Sequence, residues 1–130
     1  MPTPNEMRAT LHCYLERVGA RDVDGVLELF ADDVSVEDPV GGAPGTHVVG
    51  RKQVEAFFRK GFARSLPRPR LHGEISTTAD DHAAMSFTLE LELGGVPSEV
   101  DVIDVVRFDR DGRIAELRAY WNADEIRTRR

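Results

Sequence analysis

The amino-acid sequence predicts an α+β fold in which a curved, mainly antiparallel sheet packs over three helices. Three observations carry this expectation. Apolar residues recur at helical spacing in the first half of the chain. In the second half they alternate with polar ones, most cleanly where Met85, Phe87, Leu89, Leu91 and Leu93 interleave with Ser86, Thr88, Glu90 and Glu92. Gly94-Gly95 and Asp111-Gly112 fall between such runs, where hairpins need residues that tolerate positive φ.

The elements follow in order. Thr3-Pro4-Asn5-Glu6 matches a capping box with proline at the first helical position, and Met7, Leu11, Tyr14, Leu15 and Val18 then share one helix face. A second short helix starts at Asp22, with Val23, Val26, Leu27 and Phe30 inward. Residues 34–38 read as a strand that stops at Pro39, which lacks the N–H a ladder needs. A Gly/Pro-rich loop from Pro39 to Gly50 holds a brief strand at Val48-Val49. The third helix runs from Lys52 to Arg64, with Val54, Phe57, Phe58 and Phe62 on its apolar side. Pro67 and Pro69 close that region, and strands are expected near residues 70–78, 83–93, 98–109 and 113–122.

A chain of 130 residues suits one domain over 1–130, with terminal segments at 1–6 and 123–130. The formal net charge of -6 argues against nucleic acid or an anionic membrane as partner, because both attract basic faces. Met1 to Glu6 shows no basic or apolar leader, no apolar run is long enough to span a bilayer, and Cys13 has no second cysteine to pair with. A cytoplasmic location is expected. His12, His47, His72 and His82 lack ligand spacing, so no metal is expected. Arg127, Arg129 and Arg130 read as a frayed, solvated tail.

One residue breaks the pattern. In Val100-Asp101-Val102-Ile103-Asp104-Val105-Val106-Arg107-Phe108, strand alternation puts Asp104 on the face of Val100, Val102, Val106 and Phe108. Asp101 and Arg107 fall on the other face, beside Ile103 and Val105. An ionised carboxylate on a dry face is costly, so such a group takes up a proton and becomes a hydrogen-bond donor. Asp38 repeats the anomaly by sharing parity with Val34 and Val36, and Tyr14 lies on the apolar face of the first helix. Each has an ordinary structural reading: an ion-paired strand acid, a turn residue before proline, a core tyrosine. Together, a carboxylate base and two neutral donors suit proton abstraction next to a carbonyl, with the donors holding the enolate oxygen. That chemistry requires no metal and no cofactor.

From about Met7 to Trp121 the chain resembles the bacterial ketosteroid isomerases (steroid Δ5-isomerases). The resemblance rests on Phe30-Ala31-Asp32-Asp33, Val36-Glu37-Asp38-Pro39-Val40-Gly41, Asp101-Val102-Ile103-Asp104-Val105-Val106-Arg107-Phe108-Asp109, Gly112-Arg113-Ile114 and Ala119-Tyr120-Trp121. It implies the conical barrel of the nuclear-transport-factor-like fold and a cofactor-free isomerase of 3-oxo-Δ5-steroids. Asp38 takes the place of the family's base, Tyr14 that of its oxyanion-hole tyrosine, and Asp104 that of its protonated aspartic acid. Family enzymes are a known case of a carboxylic acid kept neutral by an apolar site. Phe58, Met85, Phe87, Val102, Leu117 and Trp121 are the expected pocket lining, with Trp121 equally readable as core. The family also implies a homodimer through the outer sheet face. Phe58 departs from the family, whose characterised members carry there a tyrosine that supports the oxyanion-hole tyrosine. Asp38 is expected to be nearer water than Asp104, since it must stay ionised. Rival readings are a polyketide cyclase or dehydratase of the same fold, or a non-catalytic binder of steroids or other apolar ligands.

Overall fold

The structure is a computed structural model that describes residues 1–129; Arg130, the last residue of the basic tail, lies outside the described residues. Helix α1 (Pro4–Gly19) begins with the predicted capping box: Thr3 Oγ1 accepts from Glu6 N at 3.1 Å, and Glu6 Oε1 accepts from Thr3 N at 2.8 Å. Its face of Met7, Leu11, Tyr14, Leu15 and Val18 is buried. Helix α2 (Val23–Glu28) is capped by Asp22, whose carboxylate accepts from Gly25 N at 2.9 Å.

Phe30 does not belong to that helix. It opens strand β1 (Phe30–Glu37), because Leu29 caps α2 and its carbonyl accepts from Ile114 N at 2.8 Å, joining the chain to the sheet. The strand therefore starts four residues earlier than predicted. A register irregularity between Phe30 and Ser35 exposes Asp32 and Asp33, which breaks the alternation that would have revealed it.

The remaining elements are β2 (His47–Val49), α3 (Arg51–Ser65), β3 (Arg68–Thr77), β4 (His82–Leu93), β5 (Val96–Phe108), β6 (Ile114–Tyr120) and β7 (Arg127–Thr128). The strand order is β2-β1-β6-β5-β4-β3, with β7 also on β5. Only β1 and β6 run parallel among the described pairs. Pro69 lies inside β3 rather than before it; β3 is an edge strand, the place in a sheet where a residue without an N–H is tolerated.

Burial alternates along β5 as predicted. Val100, Val102, Asp104, Val106 and Phe108 are buried against the helices, while Asp101 and Ile103 are exposed. Each of these apolar side chains contributes about 1.5–3 kcal/mol when fully buried, which fixes the register that also buries Asp104.

The basic tail is not frayed where it is described. β6 pairs with residues 103–108 of β5, and β7 pairs with Ser98 and Glu99 of the same strand. Arg127 bonds to Asp101 Oδ1 at 3.1 Å and to Glu99 Oε1 at 3.3 Å, and Arg129 N donates to Pro97 O at 2.9 Å. Acidic partners 26 and 28 residues away explain why the tail is ordered where composition alone suggested a solvated end.

Candidate functional site

Between the helices and the inner sheet face lies a cavity of about 250 Å³. Tyr14 from α1, Asp38 from just beyond β1 and Asp104 from the middle of β5 all reach its wall. The three polar groups singled out by parity thus share one apolar chamber.

Asp104 sits between Met85 of β4 and Ala119 of β6 in the ladder. It is 2 % exposed. Burial pushes its carboxyl well above the usual carboxylate range, and the nearby Asp38 charge pushes the same way. Tyr14 is raised well above an ordinary phenol by burial, then by Asp104 and Asp38. Neither group gains a hydrogen bond from a described residue. Hydrocarbon surrounds the Tyr14 ring, with the Phe30 centroid at 6.1 Å and that of Phe58 edge-on at 6.4 Å.

Asp38 is held differently. Its N–H donates to Thr46 O at 2.8 Å, the Asp38-Pro39 bond is cis, and Val40 N returns to Ala119 O at 2.9 Å. The carboxylate accepts from Trp121 Nε1 at 2.5 Å. Burial raises its pKa and the indole bond lowers it. As a whole residue Asp38 is more exposed than Asp104, but burial is the larger influence on its carboxyl and leaves its pKa raised.

Phe58, Phe87, Val102 and Trp121 line the cavity as expected. Met85 and Leu117 do not. Both are buried, but Met85 pairs with Asp104 beside the chamber, and Leu117 pairs with Val106 and Val36 deeper in the sheet. Strand parity identifies the inward face; the curvature of the sheet decides which inward residues meet open space. Sequence reasoning missed Phe57, Phe62, Leu89, Leu91 and Ile126 as wall residues. All but Ile126 carried a signal, because they continue apolar stripes already recognised on α3 and β4.

A sequence profile of the SnoaL-like domain matches residues 11–117. The steroid Delta-isomerase of Nocardioides simplex is 32% identical over 118 residues, 89% of each chain. The chain belongs to the SnoaL-like family and, within it, to the ketosteroid isomerases. Another relative of this chain is the epoxide hydrolase LasB of Streptomyces lasalocidi, 30% identical over 133 residues. That match covers 96% of this chain but 44% of LasB, so this chain spans less than half of it. The structure of RV0760c from Mycobacterium tuberculosis, in complex with estradiol-17beta-hemisuccinate, superposes with a TM-score of 0.84. It is 29% identical, over 93% of this chain and 97% of that one. Fold and family are thereby those expected, with a mixed sheet curved over three helices. No helix among the described residues is long and apolar enough to cross a membrane.

Proposed function

We propose that this protein is a steroid Δ5-Δ4 isomerase that moves a proton from C4 to C6 of 3-oxo-Δ5-steroids. The observation that carries the reading is the facing of one indole-bonded carboxylate and two neutral donors into a single apolar cavity. The C3 carbonyl oxygen meets Tyr14 and Asp104. Asp38, ionised, takes the C4 proton, and the resulting dienolate oxygen draws the two donor hydrogens more strongly than the ketone did. This differential interaction lowers the barrier. Asp38 then returns the proton to C6, leaving the conjugated 3-oxo-Δ4-steroid. Burial keeps Asp104 and Tyr14 protonated; the Trp121 bond favours the ionised form of Asp38 against the burial that raises its pKa. Similarity to the steroid Delta-isomerase supports the reaction, and the steroid held by RV0760c supports the ligand class.

Mixing the protein with androst-5-ene-3,17-dione and following the ultraviolet absorbance of the conjugated enone tests the reading. The expected result is enone formation that Asp38→Asn nearly abolishes. No enone from the intact protein would sink it. Similarity to LasB favours a second reading, in which the same groups open an epoxide, Asp38 activating the nucleophile and Asp104 protonating the leaving oxygen. Turnover of an epoxide without turnover of the Δ5-ketone would select it.

The outer sheet face supports a homodimer. Ile103 and Tyr120, partners in the ladder, are 49% and 43% exposed on that face. Beside them His72 Nε2 lies 2.6 Å from Thr88 Oγ1, which donates to Asp101 at 2.9 Å. A second copy would cover this patch of apolar and already paired polar groups.

A further inference from the structure

The cavity is chemically lopsided. Its catalytic end holds Tyr14, Asp38, Asp104 and the indole N–H of Trp121, which is already given to Asp38. Elsewhere, among the described residues, the wall has one polar side chain, Ser65, and its hydroxyl donates to Gly61 O at 2.8 Å. What remains there is hydrocarbon, chiefly Phe57, Phe62, Leu89, Leu91, Leu93 and Ile126.

The leucines succeed one another on the inner face of β4. Phe87 pairs with Val102, near the catalytic end. From there to Leu93 the strand covers about 20 Å at the usual rise per residue, longer than a four-ring steroid nucleus. Leu89 is partly buried, Leu91 is 8% exposed and Leu93 37%, so the wall is hydrocarbon throughout and opens at Leu93. Ile126 reaches the wall because β7 is pinned to β5 immediately after it. A ligand oxygen placed along this half would lose its water and find no donor, a penalty of tenfold or more in affinity by order of magnitude. Hydrocarbon in the same place gains by leaving water.

We propose that the cavity is built for 3-oxo steroids whose D ring carries hydrocarbon, such as a 17-alkyl side chain, rather than a 17-oxo or 17-hydroxyl group. This rests on the reading that the C3 oxygen lies at Tyr14 and Asp104.

The chain has one tryptophan, and Trp121 lines the cavity, so its fluorescence reports occupancy without requiring turnover. The probes are androst-4-ene-3,17-dione, androst-4-en-3-one and pregn-4-en-3-one, which differ only at the D ring. The two lacking a D-ring oxygen should bind about tenfold tighter than the dione. Leu91→Ser, which puts a free hydroxyl on the wall, should narrow that gap at least threefold while circular dichroism stays unchanged; Ile126→Ser serves if Leu91→Ser fails to fold. Equal or tighter binding of the dione overturns the proposal. So does an unchanged gap in the folded serine variant, which would mean that partitioning alone sets the order. A fourth probe, 3-oxoandrost-4-ene-17β-carboxylic acid, would overturn it by binding tightest, and would implicate Arg21, Arg68 and Arg129, which share a neighbouring depression with Leu91. Enone formation from the matching Δ5 ketones is scored separately. Preference without turnover removes the isomerase reading and keeps the shape of the apolar half; turnover with reversed preference removes this ligand class alone.

Discussion

The indole Nε1 of Trp121 donates to Asp38 Oδ1 at 2.5 Å across 83 residues of sequence. A donor on the ionised carboxylate stabilises it against protonation, and here it opposes the burial that pushes Asp38 up. Trp121→Phe keeps an aromatic wall and removes the donor. The pKa of Asp38 should rise, so the acidic limb of kcat/KM moves to higher pH and turnover at low pH falls. Stopped-flow enone formation across pH checks this. A limb that stays in place would mean that Trp121 only fills space.

Asp104 has the opposite task, and its burial predicts a stability effect with a definite sign. Its folded pKa is raised above the unfolded value of about 3.9. The neutral acid's full contribution to stability is present below that value, is lost progressively as pH rises toward the folded pKa, and is level beyond it. Asp104→Asn does not titrate. Its unfolding free energy should therefore gain on the wild type from about pH 4 upward, a trend readable from urea midpoints. Asp38 titrates in both proteins and largely cancels. Asp104→Leu, an apolar group on an apolar face, should fold normally and slow turnover by about 10²–10³, the usual cost of removing one oxyanion donor.

Most of the fold was legible because strand parity and helical spacing act locally. The face of β5 that buries Asp104 follows from its own valines, and α1 announces itself through Thr3 and Glu6. The first turn of β1 was illegible because exposed Asp32 and Asp33 interrupt its alternation at a bulge. The tail was illegible for another reason: Arg127 is ordered by Glu99 and Asp101, and nothing in the local sequence signals a partner that distant. Tyr14, Asp38 and Asp104 could be singled out as polar groups on apolar faces, but the Trp121–Asp38 bond exists only once β6 lies beside β1.

Phe58 meets Tyr14 edge to face and leaves its hydroxyl without support from behind. Phe58→Tyr adds a donor where characterised ketosteroid isomerases carry a tyrosine. A new hydrogen bond to the Tyr14 oxygen, worth about 0.5–1.5 kcal/mol, would polarise its hydroxyl and raise kcat by about two- to tenfold. The acidic limb set by Asp38 should not move. If the added hydroxyl finds no partner, kcat stays level and stability drops by about 1–3 kcal/mol instead; thermal unfolding and turnover on one sample separate the two.

The outer face offers a test of assembly that leaves the chemistry alone. Ile103 points away from Asp104 by strand parity and does not line the cavity. Ile103→Asp places a charge where a second copy would rest, and a symmetric dimer would bury one from each chain. One unpaired buried charge already costs several kcal/mol. The wild type should sediment at twice the chain mass and the variant at the chain mass, with enone formation per chain retained within about threefold, since the variant touches neither donor nor base. A wild type that sediments as a single chain removes the dimer. A monomeric variant that loses turnover while circular dichroism is unchanged would show instead that the partner's sheet stiffens β5, and through it the placement of Asp104.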